Sequence, residues 1–192
     1  MGGTFDPIHF GHLLIAERAR EEFGLERIIF VPTGKPAHKK SYQISSAKRR
    51  WDMTCLAIES NPDFEASRVE IDREGTSYAV DTILELSRQN PGLKPYFITG
   101  MDAVMEILTW HRAQELPGLT EFVAAARPGY DASVARAQLP PNFLERIHFL
   151  TVPLIEISST VIRQRVGQGL SIRYMAPRSV LEYIEAEGLY RK

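Results

Sequence analysis

The chain has a single cysteine, Cys55, among 192 residues. One thiol builds neither a disulfide framework nor a cysteine-based metal cluster, which removes small stapled folds and zinc modules from consideration. Cys55 falls in an apolar helical stretch with Met53, Leu56, Ala57 and Ile58, and reads as a buried structural thiol. Charge of one sign is also lacking: 23 Lys and Arg stand against 24 Asp and Glu. Such a balance excludes a surface that coats nucleic acid, so any polyanion must be met by a local site. No run is long and apolar enough for a signal peptide or a membrane span, so a cytoplasmic location and no membrane partner are expected. No repeat or low-complexity tract interrupts the sequence. With 44% hydrophobic and 24% charged residues it reads as globular, large enough for an α/β domain with a real core. Residues 1–192 read as a single domain, with 154–192 as a C-terminal helical part. Neither a monomer nor a homo-oligomer is excluded.

Strand and helix patterns alternate along the chain. Residues 27–32 form an apolar run closed by Pro32, which predicts a buried strand. Residues 33–46 are polar and longer than an ordinary connection, as binding loops are. Ser45 or Ser46 caps a helix carrying Trp51, Leu56 and Ile58. Residues 64–72 alternate as a strand. Thr76 or Ser77 is expected to cap a helix with Val80, Ile83, Leu84 and Ser87 on one face. Strands follow at 96–100, 121–126 and 147–153. A helix and then a Pro140-Pro141 loop are expected within 131–146. Helices are expected from Ser158 to about Gly167 and from Pro177 to Glu187. This alternation calls for a Rossmann-like, doubly wound parallel sheet with right-handed crossovers. With a strand before Gly2, the expected order is 3-2-1-4-5-6. That order places ligands at the carboxyl ends of strands 1 and 4.

Residues 2–12, Gly-Gly-Thr-Phe-Asp-Pro-Ile-His-Phe-Gly-His, carry the strongest signal. Gly2, Gly3 and Thr4 make a turn that lets backbone approach a ligand closely. Asp6-Pro7 then leads into a helix whose unpaired N–H groups attract phosphate. His9 and His12, three apart, share a helix face on either side of Gly11. The plainer alternative, a capped helix with two surface histidines, suffices for an isolated pair but not for the whole run. A second cluster, Ile157-Ser158-Ser159-Thr160-Val161-Ile162-Arg163, sets hydroxyls and free N–H groups at a helix start. A forked permanent cation follows one turn later.

The first run resembles the His-x-Gly-His signature of the nucleotidyltransferase superfamily, and its longer form resembles bacterial nicotinate-nucleotide adenylyltransferases. The second is similar to their Ser-Ser-Thr-x-Ile-Arg motif. The resemblance implies that His9, His12, Arg163 and Lys39 act on phosphates during transfer. It implies ATP binding by Gly2, Gly3, Thr4, Phe5, Gly11, Gly100, Asp102, Ile157, Ser158, Ser159 and Thr160. It assigns nicotinate mononucleotide to His38, Thr76, Ser77, Tyr78, Trp110 and Arg127, with Trp110 stacking on the pyridine ring. Pro36-Ala-His38-Lys39 matches the family's Pro-x-His-Lys segment, and Arg50 matches a position within Arg-x-x-Met. Plainer readings stand beside several of these. Asp102 is also placed to cap a helix, Trp110 to fill a core, and the Lys35–Lys40 stretch to be a solvated basic loop. His111 and His148 have no motif support.

The resemblance implies adenylyl transfer from ATP to nicotinate mononucleotide, giving deamido-NAD and pyrophosphate. Mg²⁺ is expected on the phosphates and water rather than in a protein cage. Family members carry a short hydrophobic strand before the glycine turn, where this sequence has only Met1. A truncated first strand is therefore expected, from a late start or a shortened chain, and intact mass of the native protein decides. Three rivals remain: a transferase with another acceptor, such as phosphopantetheine or glycerol-3-phosphate; a non-catalytic nucleotide sensor; and a metal-dependent hydrolase, which lacks an evident third ligand.

Overall fold

The computed structural model describes residues 1–36, 44–126, 132–153 and 155–191. Strands β1 (Gly2–Gly3), β2 (Ile28–Pro32) and β3 (Phe64–Ala66) pair in the order β1-β2-β3. Strands β4 (Tyr96–Gly100), β5 (Glu121–Ala126) and β6 (Ile147–Thr151) pair in the order β4-β5-β6. Every pairing is parallel. Each half thus has the expected order. The two halves meet at β1 and β4, where a Cβ on Gly2 would lie 3.7 Å from the Phe97 ring. No ladder joins these two strands among the described residues.

Helices cover both faces, which is why β5 reads as a continuous apolar run. On one face α1 (Phe10–Glu22), α2 (Ala47–Ile58) and α8 (Arg178–Ala186) send Ala16, Met53 and Ile184 against Phe30, Ile98 and Val123. On the other, α3 (Ala79–Gln89), α4 (Met101–Met105), α5 (Ala132–Gln138) and α6 (Pro141–Leu144) pack with two 3-10 turns. Their Val80, Val104, Leu116 and Phe143 meet Phe122 and Ala124. Residues 122, 123 and 124 thus alternate between the two cores, the period of two that a strand imposes. Between β6 and α8 lies α7 (Ser159–Gly167). No described helix is long and apolar enough to cross a membrane.

Four local expectations are corrected. The third strand stops at Ala66 because the chain bends there: Ser67 Oγ accepts the Val69 amide and the Arg68 carbonyl accepts the Asp72 amide. That bend turns Glu70 inward, to 7% exposure. Neither Thr76 nor Ser77 caps α3, whose N-cap is Tyr78; Ser77 instead pairs with Pro36 as an isolated parallel bridge. Leu84 lies on the exposed side of α3. Pro140-Pro141 opens a short helix rather than a loop, since proline suits the first helical position, where no N–H is needed. Ser46 caps α2 as expected, accepting the Arg49 amide at 3.3 Å. Cys55 is half-buried, and burial raises its thiol pKa.

Met1 to Gly3 runs beside β2, with Gly2 opposite Val31 and the Met1 carbonyl accepting the Val31 amide at 2.9 Å. A cavity of about 480 Å³ lies beside Met1, lined by Ile28, Ile29, Tyr96 and Ile98 among others. The Met1 amine donates to the Ile29 carbonyl at 2.7 Å, and burial lowers its pKa from 8.0 to about 5. Between pH 5 and 8 the unfolded chain therefore binds a proton that the folded chain refuses, so stability rises with pH across that window. We expect the melting temperature of the chain beginning at Met1 to climb from pH 5 to pH 8. Acetylating the α-amine should remove most of the slope above about pH 7.5, where the buried histidines contribute little. An unchanged slope after acetylation contradicts the assignment.

Candidate active site

The residues after β1 fold into a turn that brings two distant parts of the sequence together. Asp6, 1% exposed, directs its carboxylate away from solvent. Its Oδ1 accepts the Tyr190 hydroxyl at 2.6 Å and its Oδ2 accepts the Ser45 amide at 3.1 Å. The Asp6 carbonyl accepts Arg163 Nη1 at 2.7 Å, and the Pro7 carbonyl accepts the Ser159 hydroxyl at 2.8 Å. The Thr4 carbonyl accepts Arg50 Nη1 at 3.0 Å. Phe5, with φ of 50°, holds the left-handed region unfavourable to a bulky side chain and is 2% exposed. Packing and hydrogen bonds hold the strain, as at functional sites generally.

His9 stands at the N-cap of α1 and His12 one turn inside it. Their rings stack, with centroids 3.7 Å apart and planes at 28°. Phe5 meets His12 edge-on at 5.1 Å. His12 Nδ1 accepts the His9 backbone amide at 3.2 Å, which makes Nδ1 the acceptor and leaves Nε2 to carry the hydrogen. His9 Nδ1 is buried with no hydrogen-bond partner among the described residues. An orphaned nitrogen in a buried ring is costly unless a ligand satisfies it. Gly11 makes room for that ring: a Cβ there would lie 3.1 Å from His9 Nδ1 and 3.6 Å from the Ile157 carbonyl oxygen. Burial lowers the His9 pKa to about 4. Burial first and the neighbouring His9 second hold His12 well below its ordinary value. Both rings are therefore neutral at physiological pH in the ligand-free protein.

Helix α7 completes this side. Ser158 is its N-cap, accepting the Val161 amide at 3.2 Å, and its backbone leads into Ser159 and Thr160 beside the turn. Ile162 is fully buried and anchors the helix. Arg163 reaches from the helix to Asp6 and also donates to Thr160 Oγ1 at 3.2 Å. The Ser159 hydroxyl, its one hydrogen spent on the Pro7 carbonyl, and one edge of Arg163 thus hold the turn. Gly100 ends β4 and is exposed, and Asp102 is exposed in the first turn of α4. Gly100 is the N-cap there, so Asp102 does not cap the helix.

A second group lies around the start of α3. Tyr78 stacks on His111 with centroids 4.2 Å apart, and Trp110 meets Phe97 edge-on at 5.7 Å. Arg112 bonds Asp81 at 2.9 Å, tying the 110–112 segment to α3. Ser77 pairs with Lys35: its amide donates to the Lys35 carbonyl at 2.9 Å, and its hydroxyl accepts the Lys35 amide at 3.3 Å. Thr76, Ser77, Tyr78 and Trp110 are all half-buried. Trp110 is both a partner of the second core and open to one side. His38, Lys39 and Arg127 lie outside the described residues.

Asp6, Tyr190 and His111 were not singled out by motif. Asp6 reads in sequence only as a helix-leading residue before proline. Tyr190, near the end of the chain, carries no local signal, and its bond to Asp6 spans the whole fold. For His111 the neighbouring Trp110 is the only pointer.

Comparison with known proteins agrees with this geometry. Residues 1–165 match the family described as Cytidylyltransferase-like. A probable nicotinate-nucleotide adenylyltransferase of Moorella thermoacetica is 53% identical over 195 residues, covering 100% of this chain and 90% of the relative. One of Thermoanaerobacter sp. is 48% identical over 198 residues, covering 100% and 93%. A solved Plasmodium falciparum nicotinic acid mononucleotide adenylyltransferase, complexed with NaAD, superposes with a TM-score of 0.80. It covers 98% of this chain and 94% of its own at 18% identity, a likeness of fold. The chain belongs to the cytidylyltransferase-like family, in its nicotinate-nucleotide adenylyltransferase branch.

Proposed function

We propose that the chain transfers the adenylyl group of ATP to nicotinate mononucleotide, yielding deamido-NAD and pyrophosphate. The observation that carries the reading is the meeting of the His9–His12 turn with the start of α7, where a buried imidazole nitrogen lacks a partner. A phosphate oxygen of the mononucleotide attacks the α-phosphorus in line. The new P–O bond forms as the bond to the bridging β-phosphate oxygen breaks, and that electron pair leaves with pyrophosphate. The nucleophile arrives ionised, so no covalent enzyme intermediate is required and the protein's task is positioning and charge stabilisation.

Because both histidines are neutral when free, they act as N–H donors rather than as fixed cations. His12 offers Nε2–H, and His9 offers the nitrogen that lacks a protein partner. The start of α7, with Ser158, Ser159 and Thr160, and the guanidinium of Arg163 supply donors and permanent charge for the β- and γ-phosphates. Gly2, Gly3, Thr4, Phe5, Gly11 and Ile157 shape the nucleotide's approach, with Gly100 and the Asp102 carboxylate assigned to the ribose side. The family resemblance assigns Lys39 to the phosphates too. Among the described residues no three His, Cys, Asp or Glu come together. Mg²⁺, assigned to phosphate oxygens and water, would neutralise charge on the leaving group. ATP as donor fits the cytoplasm.

On the acceptor side, Trp110 and Tyr78 offer aromatic faces for the pyridine ring. The amides of Thr76 and Tyr78, before α3, are assigned to the carboxylate, which gains more from them than a carboxamide does, while Ser77, its amide bound to the Lys35 carbonyl, holds the segment in place. The family resemblance assigns His38 and Arg127 to this substrate as well. Pyrophosphate release with ATP and Mg²⁺ should be much faster with nicotinate mononucleotide than with nicotinamide mononucleotide; equal rates would remove the carboxylate argument. Replacing His12 by Ala should lower kcat by roughly 10²–10³ with little change in binding, the scale for one lost transition-state donor. Trp110→Ala should chiefly raise the KM of the pyridine mononucleotide, and an effect confined to ATP would put the ring elsewhere.

A further inference from the structure

Arg50, in the first turn of α2, is 2% exposed and among the bulkiest fully buried side chains of the protein. Its guanidinium spans three separate pieces of backbone. Nε donates to the Ser45 carbonyl at 3.0 Å, Nη1 to the Thr4 carbonyl at 3.0 Å and Nη2 to the Gly34 carbonyl at 3.2 Å. A guanidinium is planar and rigid, so three bonds from one fork fix three carbonyls relative to one another.

Those carbonyls belong to different sides of the site. Thr4 lies in the turn that leads to His9 and His12. Gly34 leads directly into Lys35 and Pro36, which pair with Ser77 on the acceptor side. The Gly34 backbone is pressed against a neighbouring main chain: a Cβ there would come within 2.0 Å of the Glu70 carbonyl oxygen. The phosphate turn has other supports, namely Tyr190, the Ser45 amide, Arg163 and Ser159. Between the turn and the segment that runs from Gly34 into the Lys35–Ser77 pairing, Arg50 is a direct side-chain tie.

We propose that Arg50 is a positioning residue for adenylyl transfer, its fork setting the acceptor side at a fixed distance and angle from the phosphate turn. The inference rests on the function proposed above. Arg50 does not touch the reacting atoms; it holds the two groups of residues that do. In-line attack depends on that alignment, and a misplacement of about 1 Å costs on the order of 10² in rate. Since the turn keeps four other contacts and the Gly34–Lys35 segment is left with backbone pairing such as the Thr33 amide on the Gly3 carbonyl, the acceptor should suffer more than ATP. Lysine keeps the charge, but its compact ammonium cannot meet three carbonyls in one plane.

The test compares Arg50→Lys, Gly34→Ala and, as a control, Ile58→Ala in the core on the same helix. Full kinetics are measured with ATP and with nicotinate mononucleotide, alongside melting curves. For Arg50→Lys we expect kcat lower by about 10- to 100-fold, KM for the mononucleotide raised about tenfold, and KM for ATP within about threefold. Ile58→Ala should lose thermal stability while keeping all three constants. Gly34→Ala pushes the Gly34 carbonyl off the fork without touching the guanidinium, and should reproduce the mononucleotide effect. Wild-type constants in folded Arg50→Lys, or a loss that Ile58→Ala matches at equal melting temperature, would overturn the proposal. If Arg50→Lys does not fold, Gly34→Ala decides by the same readout. A wild-type protein that releases no pyrophosphate with nicotinate mononucleotide sinks the substrate reading first, and this inference with it.

Discussion

The site depends on the pinning of one turn. Residues 4–9 contain no regular structure of their own, yet their carbonyls and the Asp6 carboxylate are met by Arg50, Ser45, Ser159, Arg163 and Tyr190. These partners come from α2, α7 and the end of the chain, so the turn forms only when the whole fold is assembled. Buried backbone carbonyls must find donors, and here charged and hydroxyl donors from remote positions supply them. The result is a loop held with the rigidity of a core. A phosphate-binding site needs that rigidity, because its donors must already stand where charge will develop.

Pinning also explains the state of the two histidines. The turn presses His9 to 6% exposure against Gly11, and His12 stacks on His9 while the Phe5 ring meets it edge-on. Removing imidazoles from water disfavours their charged form. The same packing leaves His9 Nδ1 without a partner and fixes the His12 tautomer through the His9 amide. Under the proposed function, a neutral donor held by burial would keep its proton beside an anionic nucleotide, with no proton transfer needed in a reaction whose nucleophile is already ionised. The cost is a site that is unsatisfied without ligand, the strain reservoir that unpaired buried groups represent.

Much of this was legible in the sequence where the signal is local. Strand and helix alternation predicts the parallel halves, and the two motifs predict that α1 and α7 converge. The structure does bring Ser159 and Arg163 onto Asp6 and Pro7. What escaped was long-range. Alternation at 64–72 suggests a strand to Asp72, but pairing with β2 ends at Ala66, where the chain bends and carries Glu70 against the Gly34 backbone. Thr76 and Ser77 look like helix caps, as such residues usually are; Ser77 is claimed instead by Lys35. Asp6 and Tyr190 are 184 positions apart, and no window along the chain relates them. Arg50 carries a weak motif and looks like an exposed helical arginine until the three carbonyls around it are seen.

The central claim is that packing, before any substrate arrives, sets both imidazoles as neutral donors with His12 protonated on Nε2. Nitrogen NMR of labelled imidazoles in the ligand-free protein, followed from pH 8 down to pH 5, reads this directly. The account predicts two histidines, assigned by substitution to positions 9 and 12, that stay neutral through pH 6, with the position-12 ring carrying its hydrogen on Nε2. Titration of either ring near its ordinary pKa of 6.5, or a hydrogen on Nδ1 of His12, would contradict it.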